Sequence, residues 1–341
     1  MPAKNGASLS SPFNIFFMSI TGTAMKKMLN GEEREVTMAK IQNACQEWGF
    51  FQLLNHGIPH ALLDRVKELF KEHYKNSMDA EFQKSEIVGM LESATKIDDD
   101  WETGFFLQDE TYDTVSPPLP TNLKETMKEF SEEVKILAER ILDIICENLG
   151  LEKGYLKEAI AGGNGDGKAP FFGIKMAHYP PCPRPELVDG LRPHLDAGGV
   201  ILLLQDDEVG GLQVLKDGTW FDVEPIRHAI VIDIGDQLEV MTNGKCKSMW
   251  HRVLSKTDAN RMSVAAFYNP STNAEVFPAP QLILKATEQN GNGNDNNNMN
   301  AQSGYSYPKF VSKDYMKVYG EQKFLEREPR FEAMRALCSL K

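Results

Sequence analysis

The feature that most constrains this chain is a spacing: His194-Leu195-Asp196, then His251, then Arg261-Met262-Ser263. If residues 191–196 are extended, His194 and Asp196, at i and i+2, leave the same face of the strand. Two imidazoles and one carboxylate gathered on one face are the set that holds non-haem Fe(II) and leaves coordination positions open for substrate and O2. Arg261 and Ser263, again two apart on an apparent strand, set a guanidinium beside a hydroxyl, a pair suited to a carboxylate. No single piece is specific; the order HxD, H, RxS is.

The rest of the chain is consistent with a small-molecule enzyme. At 341 residues and 41% hydrophobic content it supports a large core in one or two domains. A net charge of −12 disfavours nucleic acid and anionic membranes as partners. The five cysteines form no CxxC pair and read as reduced thiols of a cytoplasmic protein. The apolar run Phe13 to Ile20 is too short to span a membrane and reads as a buried strand.

Residues 1–11 are small and polar and read as disordered. Apolar spacing predicts helices over 33–48 and 61–74, with a strand over 49–54 between them. Residues 82–111 lack clear periodicity and read as a covering loop. Asn122 with Glu125 makes a capping-box-like start to a long helix over about 122–149, whose stripe (Leu123, Met127, Phe130, Val134, Leu137, Ile141, Ile144) should lie on a sheet. The Gly-rich 162–167 stretch is a surface loop, since no Lys-Ser/Thr follows to make a phosphate cradle. Beyond it come short β-rich runs: 171–179, 200–204, 212–215, 230–234, 238–242, 248–254 and 262–268. Asp217-Gly218 and Asn243-Gly244 stand among them as hairpin dipeptides. Many short strands at this spacing suggest a sandwich or jelly roll. Residues 289–302 are Asn/Gly-rich and of low complexity, and 310–336 return to helical patterning.

Taken singly, a histidine is more often structural than a ligand. His56, in a turn after a strand, and His228, at a strand start, read that way. Asp206 and Asp207, before Gly210-Gly211, read as a solvated turn.

Tyr179-Pro-Pro-Cys-Pro183, His-Leu-Asp-Ala-Gly-Gly, Asn-Gly-Lys-x-Lys-Ser-x-x-His-Arg-Val and Arg-Met-Ser together resemble the plant Fe(II)-dependent dioxygenases. Leu191-Arg192, Arg227-His228 and Glu328-Pro-Arg-Phe-Glu-Ala-Met334 are most similar to the 1-aminocyclopropane-1-carboxylate (ACC) oxidase branch. The likeness covers about Leu29 to Met334. It implies an α+β chain with a double-stranded β-helix core over 151–288. A helical and strand region over 29–150, in which Trp101–Phe106 resembles a strand of the family, supports that core. An atypical segment (1–28), a disordered insertion (289–303) and a C-terminal helical segment (304–341) complete the division.

The resemblance further implies Fe(II) on His194, Asp196 and His251, ascorbate as reductant, bicarbonate or CO2 as activator, and ACC and O2 as substrates. No obligate protein partner follows from it. It places Lys175, Arg192 and Lys247 near the site for bicarbonate, ascorbate or the substrate carboxylate. Tyr179, Arg261 and Ser263 are its anion-binding candidates, with Gln205 and Phe267 beside them. It sets Arg330 near the open end of the site, although charge pattern alone gives a surface helix. Two departures stand out: Leu195 where the family has threonine between the ligands, and Ile174 where a threonine often precedes the lysine. The rival reading is a 2-oxoglutarate-dependent oxygenase acting on a plant metabolite or hormone. Such enzymes often carry Asn where this chain has Ala177. A catalytically dead binding protein and a zinc hydrolase are further readings; the latter lacks a general base beside the triad.

Overall fold

The computed structural model describes residues 17–19, 32–108, 111–163, 169–283 and 307–339. Its helices are α1 (Glu32–Glu47), α2 (His60–Ser77), α3 (Asp79–Phe82), α4 (Glu86–Met90), α5 (Thr121–Leu149), α6 (Tyr155–Ala161), α7 (Asp236–Met241), α8 (Ser312–Gln322) and α9 (Glu328–Ser339). The strands are β1 (Phe17–Ser19), β2 (Phe50–Leu54), β3 (Thr103–Leu107), β4 (Phe171–Tyr179), β5 (Leu191–His194), β6 (Val200–Gln205), β7 (Leu212–Lys216), β8 (Thr219–Asp222), β9 (Ile230–Ile234), β10 (His251–Val253), β11 (Arg261–Asn269), β12 (Glu275–Val276) and β13 (Phe310–Val311).

Two sheets make the core. The larger runs β1-β2-β9-β6-β11-β4-β3 and the smaller β5-β10-β7-β8, and both are antiparallel except where β1 joins β2. Period-two alternation divides the labour of the larger sheet. On β11, Met262, Val264, Ala266 and Tyr268 enter the main apolar core with the helices. Ser263, Ala265 and Phe267 face the other way, into a cavity. On β4, Ile174 and Met176 join the helix-side core while Lys175, Ala177 and Tyr179 line the cavity. The same alternation sets Ile201 and Leu203 of β6, and Asp233 of β9, toward the cavity. Sequence therefore builds one scaffold face and one chemical face from the same strands. The smaller sheet closes over the second, with Phe50, Tyr179, Leu191, Leu212, Val214 and Val253 packed between the layers.

The long helix is as its stripe predicts. α5 is 29 residues, about 43 Å long, and buries Leu123, Met127, Phe130, Val134, Leu137, Ile141 and Ile144. Gly150 ends it in the left-handed conformation with φ 66°, which costs glycine no Cβ clash. Its start differs: the N-cap is Pro120, and Asn122 bonds only its neighbour's amide.

Other expectations are corrected. Residues 238–242 alternate like a strand but lie in α7 and its C-cap, because Gly235 ends β9 and the Asp236 amide bonds the Asp196 carbonyl at 2.7 Å. Asn243 and Gly244, both at positive φ, turn the chain after that helix rather than joining two strands. The region read as a covering loop holds α4, while β3 falls where Trp101–Phe106 resembles a strand of the family. Asp206 is buried, not solvated, and accepts the Glu208 and Val209 amides; Asp207 pairs with Lys67. By contrast, within the run Phe13 to Ile20, read as a strand, Phe17–Ser19 forms β1, paired parallel with β2. Residues 1–11, most of the Gly-rich loop and 289–302 lie outside the described residues. No helix among the described residues is long and apolar enough to cross a membrane.

Candidate active site

His194 closes β5 and His251 opens β10, and the antiparallel register sets them directly opposite one another. Their rings stand 4.1 Å apart, centroid to centroid. Asp196 is carried by the loop after β5 rather than by the strand, with its Oδ1 3.5 Å from His194 Nε2. One ligand atom from each of the three lies within 4.8 Å of the others. Each imidazole is oriented from behind: His194 Nδ1 donates to the Arg192 carbonyl at 2.8 Å and His251 Nδ1 to the Met249 carbonyl at 3.2 Å. These bonds select the tautomer whose Nε2 is a free ligand.

Charge agrees with ligation. Burial, then the neighbouring His194, pushes His251 down to about 3, so the imidazole is neutral. Burial alone would raise the Asp196 carboxyl. The hydrogen bond from His194 prevails, with the adjoining His251 and His194 rings and the Lys323 ammonium acting in the same direction, and holds it well below the usual carboxylate range. Neutral imidazoles and an ionised carboxylate are what Fe(II) requires, so the residues fit a mononuclear iron.

Gly198, two residues after Asp196, packs against the buried Asn269 side chain. A Cβ on Gly198 would lie 1.9 Å from Asn269 Oδ1, the atom that accepts the Gly199 amide at 2.9 Å. Gly198→Ala is therefore expected to displace Asp196 and weaken Fe(II) binding by about 10–100-fold, the range for disturbed supporting contacts. Anaerobic Fe(II) titration measures it.

The triad opens into a cavity of about 220 Å³. Of the residues singled out in the sequence, Lys175, Tyr179, Ser263 and Phe267 line it with the ligands. Arg261 sits directly behind Tyr179, its guanidinium carbon 5.1 Å from that ring. It is 2% exposed, and apart from the Tyr179 hydroxyl its guanidinium nitrogens have no hydrogen-bond partner among the described residues. A buried cation so thinly partnered is costly unless an anion joins it.

Other candidates lie elsewhere. Gln205 pairs with Ser263 across the ladder, but its side chain turns to the Glu224 carbonyl. Arg192 is held by Asp100 at 2.9 Å and stacks on Phe324 at 3.9 Å, so its guanidinium braces the site from outside. The Lys247 amide is tied to Cys45, and its side chain is not part of the lining. Arg330 is fully buried and turned away, bonded to Asp236 Oδ2 at 3.0 Å and Tyr315 Oη at 3.2 Å. Both departures from the family pattern point away from the cavity: Ile174 lies in the helix-side core, and Leu195 is buried outside the lining. His56 and His228 brace one another, His56 Nε2 lying 2.9 Å from the His228 carbonyl.

Four further residues belong to the site. Lys323 and Tyr319 enter the cavity from the end of α8, and Tyr319 Oη donates to the Leu195 carbonyl at 2.8 Å. Burial, then Lys175, pushes Lys323 below the ordinary lysine range. Asp233 lies against Asp196, and burial followed by that neighbour's charge raises its carboxyl well above the usual range. Glu102, just before β3, bonds Lys175. Each is an isolated charged or phenolic residue whose position is set by tertiary packing, so no local pattern marks it.

Residues 171–270 match the 2OG-Fe(II) oxygenase superfamily, and 23–117 match the family described as non-haem dioxygenase in morphine synthesis N-terminal. The chain is 51% identical over 313 residues to 1-aminocyclopropane-1-carboxylate oxidase of Prunus mume, covering 91% of this chain and 93% of that protein. It is also 51% identical to 1-aminocyclopropane-1-carboxylate oxidase 4 of Arabidopsis thaliana, covering 91% and 92%. Among solved structures, JOX2 in complex with 2OG, Fe and JA superposes with a TM-score of 0.71 at 29% identity, covering 91% of this chain and 87% of that one. A dioxygenase for auxin oxidation in rice shares the fold at 0.67 and 20% identity, covering 89% and 97%. Relatives at half identity over nine-tenths of the chain, with a triad shaped for iron on the matching fold, place this protein in the 1-aminocyclopropane-1-carboxylate oxidase family of the 2OG-Fe(II) oxygenase superfamily.

Proposed function

We propose that this protein is an ethylene-forming ACC oxidase: it oxidises ACC with O2 and ascorbate to ethylene, CO2 and cyanide at a single non-haem Fe(II). The observation that carries this reading is the cavity. At about 220 Å³ it is smaller than the roughly 300–1,000 Å³ of pockets that hold drug-sized ligands. It suits a compact amino acid better than a flavonoid or a hormone. The family relationship points the same way.

Bound on His194, Asp196 and His251, iron supplies the redox chemistry and open coordination positions. The electron balance is closed: ACC gives up two electrons, ascorbate two, and the four reduce O2 to two waters. The protein's own residues bind and orient. Lys175, Lys323 and Ser263 offer cations and a hydroxyl to carboxylate or bicarbonate oxygens. Arg261 strengthens that field from behind Tyr179. Phe50, Leu191, Leu212, Val253 and Phe267 keep the rest of the cavity apolar, which favours the ring methylenes and limits water. We place the enzyme in the cytoplasm, where its four described, buried and free cysteines stay reduced.

Purified protein given ACC, Fe(II), ascorbate and bicarbonate is expected to release ethylene, read by gas chromatography, and to be indifferent to added 2-oxoglutarate. Succinate formed one-to-one with product would overturn the reading in favour of a 2-oxoglutarate-dependent oxygenase.

A further inference from the structure

The cations around the cavity are not equivalent. Arg261 has no partner for its guanidinium nitrogens beyond the Tyr179 hydroxyl, and Lys323 is held below its ordinary range by burial and by Lys175. Lys175 is different, because its ammonium is already bonded to Glu102. The two side chains are 29% and 18% exposed, so water screens the pair only in part.

Glu102 is held in place on both sides. Before it, Trp101 is 1% exposed, donates its indole N–H to the Pro180 carbonyl at 2.9 Å and bonds the Asp189 carbonyl through its amide. After it, Thr103 enters the β3–β4 ladder opposite His178. Beyond Lys175, the carboxylate also meets the Tyr179 hydroxyl and lies within the field of Arg261 and Lys323. Its Oε2 is buried without a partner. A fixed acid has thus been set among cations that face a cavity suited to anions.

We propose that Glu102 is a resident anion: it occupies Lys175 while the site is empty and must release that ammonium when a small oxyanion of the carboxylate or bicarbonate class binds. Glu102 thereby sets how much of the oxyanion the site needs. The idea deepens the ACC oxidase reading, since oxyanions are that enzyme's substrate group and activator, but anion binding can be read without turnover.

The test is calorimetric titration of the Fe(II)-loaded protein with sodium bicarbonate under argon. Glu102→Gln keeps the side chain's shape and an acceptor for Tyr179 while removing the charge. It is expected to tighten bicarbonate binding about five- to tenfold, between the strength of an exposed pair and that of a buried charge-assisted bond. In a Lys175→Met background the same change should have no effect, because there is no ammonium to release. Glu102→Asp, with a retracted carboxylate, should move binding in the same direction by less, and it serves if the Gln variant does not fold. In assays of ethylene formation, half-saturating bicarbonate should fall in parallel. Unchanged or weaker bicarbonate binding in Glu102→Gln, or no binding to either protein, overturns the proposal. Tighter binding in a protein that forms no ethylene would sink the proposed function and leave this inference standing. Ethylene formation with an unmoved bicarbonate requirement would do the reverse.

Discussion

Asp196→Ala is expected to abolish ethylene formation, with a loss on the order of a thousandfold or more, about 4 kcal/mol of transition-state stabilisation at 1.36 per decade. Asp196 is the only carboxylate in the metal-ligand group found among the described residues. Without it, two neutral imidazoles would face a dication with no charge to offset. The hydrogen bonds that orient His194 and His251 come from backbone carbonyls, so those rings should stay in place. The same variant should fail to bind Fe(II) in an anaerobic titration while melting within a few degrees of the wild type. Normal binding and turnover in Asp196→Ala would show the triad to be wrongly assigned.

Arg330→Ala should act on stability. The guanidinium and the Asp236 carboxylate are both 0% exposed, and Tyr315 donates to the same carboxylate oxygen at 2.6 Å. Removing Arg330 leaves the Asp236 carboxylate with Arg327, 3.5 Å away, as its remaining cation, so the cost should lie at the lower end of the roughly 3–5 kcal/mol for breaking a buried pair. For a chain of this size the melting temperature should fall by on the order of 10 °C. The sequence suggests the opposite balance, a surface ion pair worth about 0–1 kcal/mol and a direct effect on turnover. Thermal unfolding decides: unchanged melting with lost activity would return Arg330 to the site.

How much could be seen beforehand depended on whether a signal was local. The alternation in β11 and β4 was legible because one face had to be apolar for the helices, leaving Lys175, Ser263 and Phe267 on the other. The stripe of α5 was legible for the same reason. Residues 238–242 misled because Leu238, Val240 and Thr242 alternate with Glu239 and Met241 as in a half-buried strand. Their helix is instead fixed by distant partners, Arg327 bonding Glu239 at 2.6 Å and Arg330 bonding Asp236. Cations were the hardest to assign. Lys175 and Arg192 look alike in sequence, yet one lines the cavity and the other is clamped by Asp100 and Phe324. Proximity in sequence to a ligand gives no direction to a long side chain.

The seat of Tyr319 on Leu195 and of Arg330 on Asp236 has a consequence for how the enzyme is made. A ribosome delivers the chain from its N-terminus, and domains begin to fold as they emerge. His194, Asp196 and His251 therefore leave the ribosome before Tyr319, Lys323 and Arg330, which cover and brace them. During that interval the ligand set lies open to whichever divalent ion arrives first, and affinity alone would favour copper or zinc over iron. Expression in iron-poor medium is therefore expected to yield protein carrying copper or zinc in place of iron, read by elemental analysis.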